Sequence, residues 1–138
     1  MERLLNLDCN IREYSPTTLA FIGDSVFEIL VRERLVCKGN RPVADLNKEK
    51  VKLVCCASQA EMIKKIEPLL TNDELKIYKS GRNSHVKAPR NASSSDYHNA
   101  TGLEALFGYL YLSNNIQRIR ELYFYTQQNS DGDINEEK

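Results

Sequence analysis

The sequence predicts an all-α domain, and three observations carry that prediction. Apolar residues recur at three- and four-residue spacings along most of the chain, capping signals stand in front of several such stretches, and no segment alternates apolar and polar residues as a half-buried strand does. At 138 residues the chain fits one domain with a single core. It contains no internal repeat.

Residues 1–14 read as an N-terminal segment. Ser15-Pro16 then supplies an N-cap followed by proline at the first helical position, opening a long helix to about Cys37. Leu19, Ile22, Val26, Ile29 and Leu30 define its inner arc, and Ala20, Phe21, Phe27 and Val31 widen the apolar surface almost all round, as in a central helix packed on several sides. Gly39 stops it. Pro42 restarts the chain, and Val43, Leu46, Val51, Val54, Cys55, Ala60, Ile63 and Ile66 read as one or two helices to about Glu67, before Pro68. Thr71-Asn72-Asp73-Glu74 forms a capping box for a short helix ending near Ser80, with Gly81 as its left-handed terminus. From Arg82 to Ser95 the periodicity gives way to a basic, polar loop. Asp96 to Leu112 is a second strongly apolar helix capped by Ser95, and Ile116 to Gln128 is a final amphipathic helix through Ile119, Leu122 and Tyr123 or Tyr125. Residues after Asn129 are expected to be disordered, which bounds a domain at 15–129 and leaves an acidic tail at 130–138.

Composition narrows the class. No apolar run approaches the ~20 residues needed to cross a bilayer, and the N-terminus mixes Glu2, Arg3, Asp8, Arg12 and Glu13 rather than showing a signal or transit composition. A soluble, intracellular protein with no membrane partner is expected. Cys9, Cys37, Cys55 and Cys56 include no C-x-x-C pair and no clustered histidine, so free core thiols suited to a reducing cytosol are the reading, not a structural zinc site. Net charge is zero, which argues against a cationic coat, but the charge is unevenly placed. Lys79, Arg82, Lys87 and Arg90 meet no acidic residue until Asp96, whereas Asp131, Asp133, Glu136 and Glu137 load the C-terminus.

Two lone carboxylates stand out. Asp24 is the only formally charged residue between Glu13 and Glu28, and Glu104 the only one between Asp96 and Arg118; each sits in a strongly apolar helix beside a glycine. An unpaired buried carboxylate is paired, protonated or bound to a metal. Two of them brought together repel by roughly 4 kcal/mol at 4 Å in an effective dielectric near 20, and a divalent cation removes that cost. Gly23 and Gly108 each cost ~1 kcal/mol in a helix interior relative to alanine, which makes sense if two helices approach closely there and bring the acids together. Pairing of either acid with an arginine such as Arg32 or Arg34, or capping of a neighbouring helix, is the structural alternative. His85 and His98 are candidate acids by residue type alone, and Tyr97 and Tyr111 are expected to pack beside Glu104.

These residues carry a resemblance. Phe21-Ile22-Gly23-Asp24-Ser25-Val26 resembles the signature helix of the ribonuclease III family, and Ala100-Thr101-Gly102-Leu103-Glu104-Ala105-Leu106-Phe107-Gly108 resembles that family's second acidic helix. Lys79-Ser80-Gly81-Arg82-Asn83, Ala88-Pro89-Arg90-Asn91 and Tyr97 are closer still to the Mini-ribonuclease III branch, which consists of the nuclease domain alone. The likeness spans roughly Ser15 to Leu122. It implies the all-α endonuclease-domain fold of that family, working as a homodimer that cuts double-stranded RNA with Mg²⁺, or Mn²⁺ as a substitute, to leave 5′-phosphate and 3′-hydroxyl ends. Asp24 and Glu104 fall on the family's metal-binding and catalytic positions. In the Mini branch the implied substrate is the precursor of the large-subunit (23S) ribosomal RNA, in the cytoplasm, with a ribosomal protein as a possible presenter of it.

The chain also departs from the broader family, which has one acid four residues before the signature aspartate and another three before the second-helix glutamate. Here those positions are Ala20 and Thr101. Asn47 and Ala57 replace a histidine and a lysine common in the branch. The length leaves no room for an appended RNA-binding domain, so Lys79, Arg82, Lys87 and Arg90, doubled by a two-fold axis, are expected to track phosphates across a minor groove, with Asn83 adding a hydrogen bond. Two other readings compete: a catalytically silent double-stranded-RNA-binding or ribosome-assembly module on the same fold, and a helical protein-interaction dimer with incidental acids.

Overall fold

A computed structural model describes residues 3–84 and 87–127. Six α-helices make up the domain: α1 Pro16–Cys37, α2 Val43–Val54, α3 Cys56–Ile66, α4 Asn72–Arg82, α5 Ser94–Leu112 and α6 Ile116–Gln127, with short 3-10 turns at Ile11–Glu13 and Glu67–Leu69. No strand occurs among the described residues. Helix α5 is the hub, packing on α1, α4 and α3, while α2 leans on α1 and α3, and α6 on α3 and α5. Phe27, Phe107 and Tyr123 meet at the centre, the Phe27 ring lying 6.0 Å from each of the other two, among the buried Val31, Leu35, Ile63, Ile66, Leu103, Leu106, Leu110 and Leu122. No helix among the described residues is long and apolar enough to cross a membrane.

Several local expectations hold. Ser15 Oγ accepts the Thr18 N–H at 3.2 Å, with Pro16 in the first turn, and Gly39 follows the end of α1 at φ +147°. The apolar run after Pro42 resolves into two helices, because the backbone turns extended at Cys55 (φ −68°, ψ 161°). Others are corrected. The inner face of α1 runs through Leu19, Ala20, Gly23, Val26, Phe27, Val31 and Leu35; Phe21 is 81 % exposed and Ile29 59 %. The face is chosen by the close crossing at Gly23, and not by the bulkiest residues. Helix α5 starts earlier than expected, capped by Ser93, whose Oγ accepts the Asp96 N–H at 3.1 Å. Gly81 does not end α4 in a left-handed turn; it is a buried residue inside the helix, where an added Cβ lies 2.8 Å from Ala105 Cβ and 2.9 Å from Gly102 Cα. In α6, Tyr123 is buried and Tyr125 is exposed. The cysteines are free but not in the core: Cys37 and Cys55 are exposed, and Cys9 and Cys56 half-buried. Cys37 and Cys55 occupy helix ends, where the chain reaches the surface.

The capping box at Thr71 is present and does more than cap. Thr71 Oγ1 accepts the Glu74 N–H at 3.2 Å and Glu74 Oε1 accepts the Thr71 N–H at 2.9 Å, while Arg118 of α6 donates to both Glu74 oxygens at 2.8 and 2.9 Å. Glu74 is only 6 % exposed. The Arg118 hydrogen bonds outweigh burial and hold the carboxyl below its ordinary value of 4.5. Stability from this pair is therefore present above that value and lost as pH falls below it. Glu74→Ala removes the cap and the two Arg118 bonds to it, leaving Arg118 on Glu121 and the Leu69 carbonyl, with an expected cost of about 1–2 kcal/mol at neutral pH. Urea unfolding at pH 7 and again near pH 4 checks both the size and the direction, since the difference between parent and variant shrinks at the acid end.

Candidate active site

The crossing of α1 and α5 places both acids. A Cβ added to Gly23 lands 1.7 Å from the Glu104 carbonyl oxygen, and one added to Gly108 lands 1.9 Å from the Leu19 carbonyl oxygen. The helices therefore meet main chain against main chain. Residues next to such a contact cannot be far apart, and the Asp24 carboxylate lies within hydrogen-bonding reach of the Glu104 side chain. Asp24 is exposed and Glu104 half-buried, so the pair is open to solvent on one side only.

Its electrostatics are unusual. Burial first, and the negative charge of Asp24 second, push the Glu104 carboxyl from its ordinary 4.5 up to about 8. The opposing influence is a hydrogen bond from Gln59, whose Nε2 donates to Glu104 Oε2 at 3.2 Å and to the Val54 carbonyl at 3.0 Å. Gln59 is 2 % exposed, and its Oε1 has no hydrogen-bond partner among the described residues, a condition that costs about 1–3 kcal/mol. Glu28, one turn beyond Asp24, is not part of the pair. Burial alone raises its pKa, but hydrogen bonds from Arg32 (2.6 Å) and Lys50 (3.3 Å) prevail and hold it below the usual range. Arg32 is thus committed to Glu28, not to Asp24.

Two adjoining carboxyl groups, oriented by a neutral amide, suit a hard divalent cation bound through oxygen. No cluster of three or more His, Cys, Asp or Glu side chains able to hold a metal occurs among the described residues. Ala20 and Thr101 are both buried, and the Thr101 hydroxyl is satisfied by the Tyr97 carbonyl at 2.9 Å. Of the two tyrosines expected beside Glu104, the Tyr111 hydroxyl accepts the Leu4 N–H at 2.9 Å, and the Tyr97 ring meets His98 edge-on. His98 Nδ1 lies 3.4 Å from Ser94 Oγ, and His85 lies outside the described residues.

The basic residues cluster at the end of α4 and in the connection to α5. Gly81 packs on Gly102 and Ala105, which brings this end of α4 against the α5 segment carrying Glu104. Arg82 holds its guanidinium 5.5 Å from the Tyr78 ring centre and donates to Asn83 Oδ1 at 3.2 Å. Tyr78 in turn donates to Asn99 Oδ1 at 3.1 Å. Lys79, Lys87 and Arg90 are exposed. Gln59 is the residue that sequence reading missed. Its signal is a polar side chain on the row Gln59, Met62, Ile63, Ile66, which is otherwise apolar.

The chain is similar to known proteins. The model of the Ribonuclease III domain family matches residues 17–115. A Mini-ribonuclease 3 from Thermoanaerobacter sp. is 42 % identical over 109 residues, which cover 78 % of this chain and 77 % of that protein. One from Streptococcus pneumoniae is 39 % identical over 118 residues, covering 83 % of this chain and 91 % of its own. A Fusobacterium nucleatum protein of known crystal structure superposes with a TM-score of 0.81 at 27 % identity, over 95 % of this chain and 99 % of that one.

Proposed function

Because the chain belongs to the ribonuclease III family, within its Mini-ribonuclease 3 branch, we propose that Asp24 and Glu104 hold the divalent ion at which this endoribonuclease cuts double-stranded RNA. The observation that carries the reading is the meeting of these two carboxyl groups at a main-chain crossing. Mg²⁺, or Mn²⁺ in its place, supplies when bound an ionised water for in-line attack on a phosphodiester and offsets charge on the departing oxygen. The chain's own contribution is to orient. Glu104 gives up the proton that burial and Asp24 favour, Asp24 faces solvent where a backbone arrives, and Gln59 keeps Glu104 in place. Products then carry 5′-phosphate and 3′-hydroxyl ends.

The substrate proposed is the precursor of large-subunit ribosomal RNA in the cytoplasm, presented with a ribosomal protein. A homodimer is part of the same reading and is supported by apolar side chains left uncovered on α1 and before it: Phe21, Ile29, Leu4, Leu5 and Leu7. Lys79, Arg82, Lys87 and Arg90 then line two copies of a phosphate-tracking surface, with Asn83 beside them. A plain RNA duplex incubated with the protein and Mg²⁺, in parallel with Asp24→Asn, is the test. Cleavage by the parent and none by the variant supports the reading; binding without cleavage by the parent returns the silent-module alternative.

The basic surface has its own check. Replacing Arg82, Lys87 and Arg90 together by alanine is expected to weaken duplex binding and to flatten its salt dependence by roughly one unit of log–log slope for each phosphate no longer neutralised. Unchanged binding and cleavage at physiological salt takes the RNA-binding role away from this loop.

A further inference from the structure

Gln59 is polar where α3 calls for an apolar side chain. It shares a row with Met62, Ile63 and Ile66, all buried, and is buried itself. Leucine or methionine fills such a place without any hydrogen-bonding requirement. The amide is nevertheless held by two acceptors, the Val54 carbonyl at 3.0 Å and Glu104 Oε2 at 3.2 Å, which use both hydrogens of Nε2. Turning the amide over sets Oε1 against those same oxygens, so only one orientation is favourable. The consequence is a buried Oε1 without a partner among the described residues. A fold that keeps an unsatisfied oxygen at a site suited to leucine is keeping it for what the other end of the amide does.

We infer that Gln59 is the positioning residue of the acid pair: it ties the Glu104 carboxyl to the last carbonyl of α2 and so holds it beside Asp24 against their mutual repulsion. The helix crossing fixes the two backbones but not the torsions of the Glu104 side chain, through which the carboxyl would swing away once its proton, and with it the hydrogen bond to Asp24, is lost. Gln59 removes that freedom. Being neutral, it orients Glu104 without supplying a positive charge, so once Glu104 gives up its proton neither carboxylate is neutralised before a cation arrives. A lysine or arginine in its place neutralises the site and competes with the ion.

If the nuclease reading holds, on which this assignment rests, Gln59→Leu and Gln59→Met in the full chain melt at or above the parent's temperature in the absence of metal. Duplex KM stays within about twofold, because the amide does not touch RNA. Mn²⁺ affinity, measured by calorimetry without RNA, and kcat each fall about 10- to 100-fold, the range for losing a partner that orients a metal ligand. Parent-like Mn²⁺ affinity and kcat in whichever variant melts like the parent overturns the assignment. So does failure of both variants to fold, which makes Gln59 a structural residue. A parent that neither binds Mn²⁺ nor cuts brings down the nuclease reading and this assignment together, whereas a parent that does both beside unaffected variants brings down this assignment alone.

Discussion

Glu104→Gln is expected to abolish RNA cleavage while raising the stability of the metal-free protein at alkaline pH. The first effect follows from the proposed function, in which Glu104 is half of a two-carboxylate ion site. A loss of about 10³-fold or more in kcat corresponds to roughly 4 kcal/mol of transition-state stabilisation. The second follows from the sign of the Glu104 shift. Its folded-state pKa of about 8 stands above the ordinary 4.5, so the folded protein holds this proton more tightly than the unfolded chain. The associated stability is fully present below pH 4.5 and drains away as pH rises through 8. In chelator, the parent's melting temperature should therefore decline across that window, and the variant's should lack that component. Asp24→Asn removes the charge but leaves the burial, so it abolishes cleavage and shrinks the decline without erasing it. A parent whose melting temperature is flat over this range, or a Glu104→Gln enzyme that still cuts, contradicts the picture. Since the ion displaces the proton, Mn²⁺ titration below pH 8 should release acid to the buffer.

Gly108→Ala is expected to be among the most damaging conservative changes at the described residues. Its methyl group lands 1.9 Å from the Leu19 carbonyl oxygen and 3.1 Å from the Gly23 nitrogen, so backbone is in the way, and no rotamer relieves the clash. The helices must separate, opening the core around Phe27 and Phe107 as they do. The cost is upward of about 3 kcal/mol, at or beyond the top of the usual overpacking range, which for a domain of this size lowers the melting temperature by ~10 °C or more. Gly23→Ala should behave alike, facing the Glu104 carbonyl at 1.7 Å. Gly39→Ala is the control: nothing lies within 4 Å, the strain is confined to φ +147°, and the expected penalty is about 1–3 kcal/mol. Thermal unfolding of the three variants without metal ranks them, and a Gly108→Ala protein that melts like the parent dismisses the close crossing.

The sequence makes some of this legible and hides the rest for physical reasons. Helix positions can be read because burial imposes a period on apolar residues, and caps such as Ser15 and Thr71 are short-range hydrogen bonds spelled out within four residues. The acid pair can be suspected because a charge in a long apolar stretch is costly wherever it lies. Which face of α1 is buried cannot be read, since apolar residues nearly encircle it and the choice is made by α5, a distant segment. For the same reason Gly81 looks like a helix terminus: a glycine needed for packing and one needed for a left-handed turn are the same letter. Ser93, Ser94 and Ser95 offer three equivalent caps, and only the start of α5 selects among them. Gln59 is concealed most completely, because its two partners, Val54 and Glu104, belong to other helices and neither advertises a need for an amide.

Helix α2 contains no fully buried residue and rests on the core through the half-buried Leu46, Leu53 and Val54. Its remaining ties are side-chain links at the surface, such as Lys50 to Glu28 and Arg41 to Glu49. An element held so lightly is the first to detach in a partial opening of the fold, well before the α1–α5 pair gives way. Its final carbonyl is also one of the two acceptors of the Gln59 amide, the other being the Glu104 carboxyl. Loosening of this outlying helix is thereby coupled to freedom of the Glu104 carboxyl, while the rest of the domain stays intact.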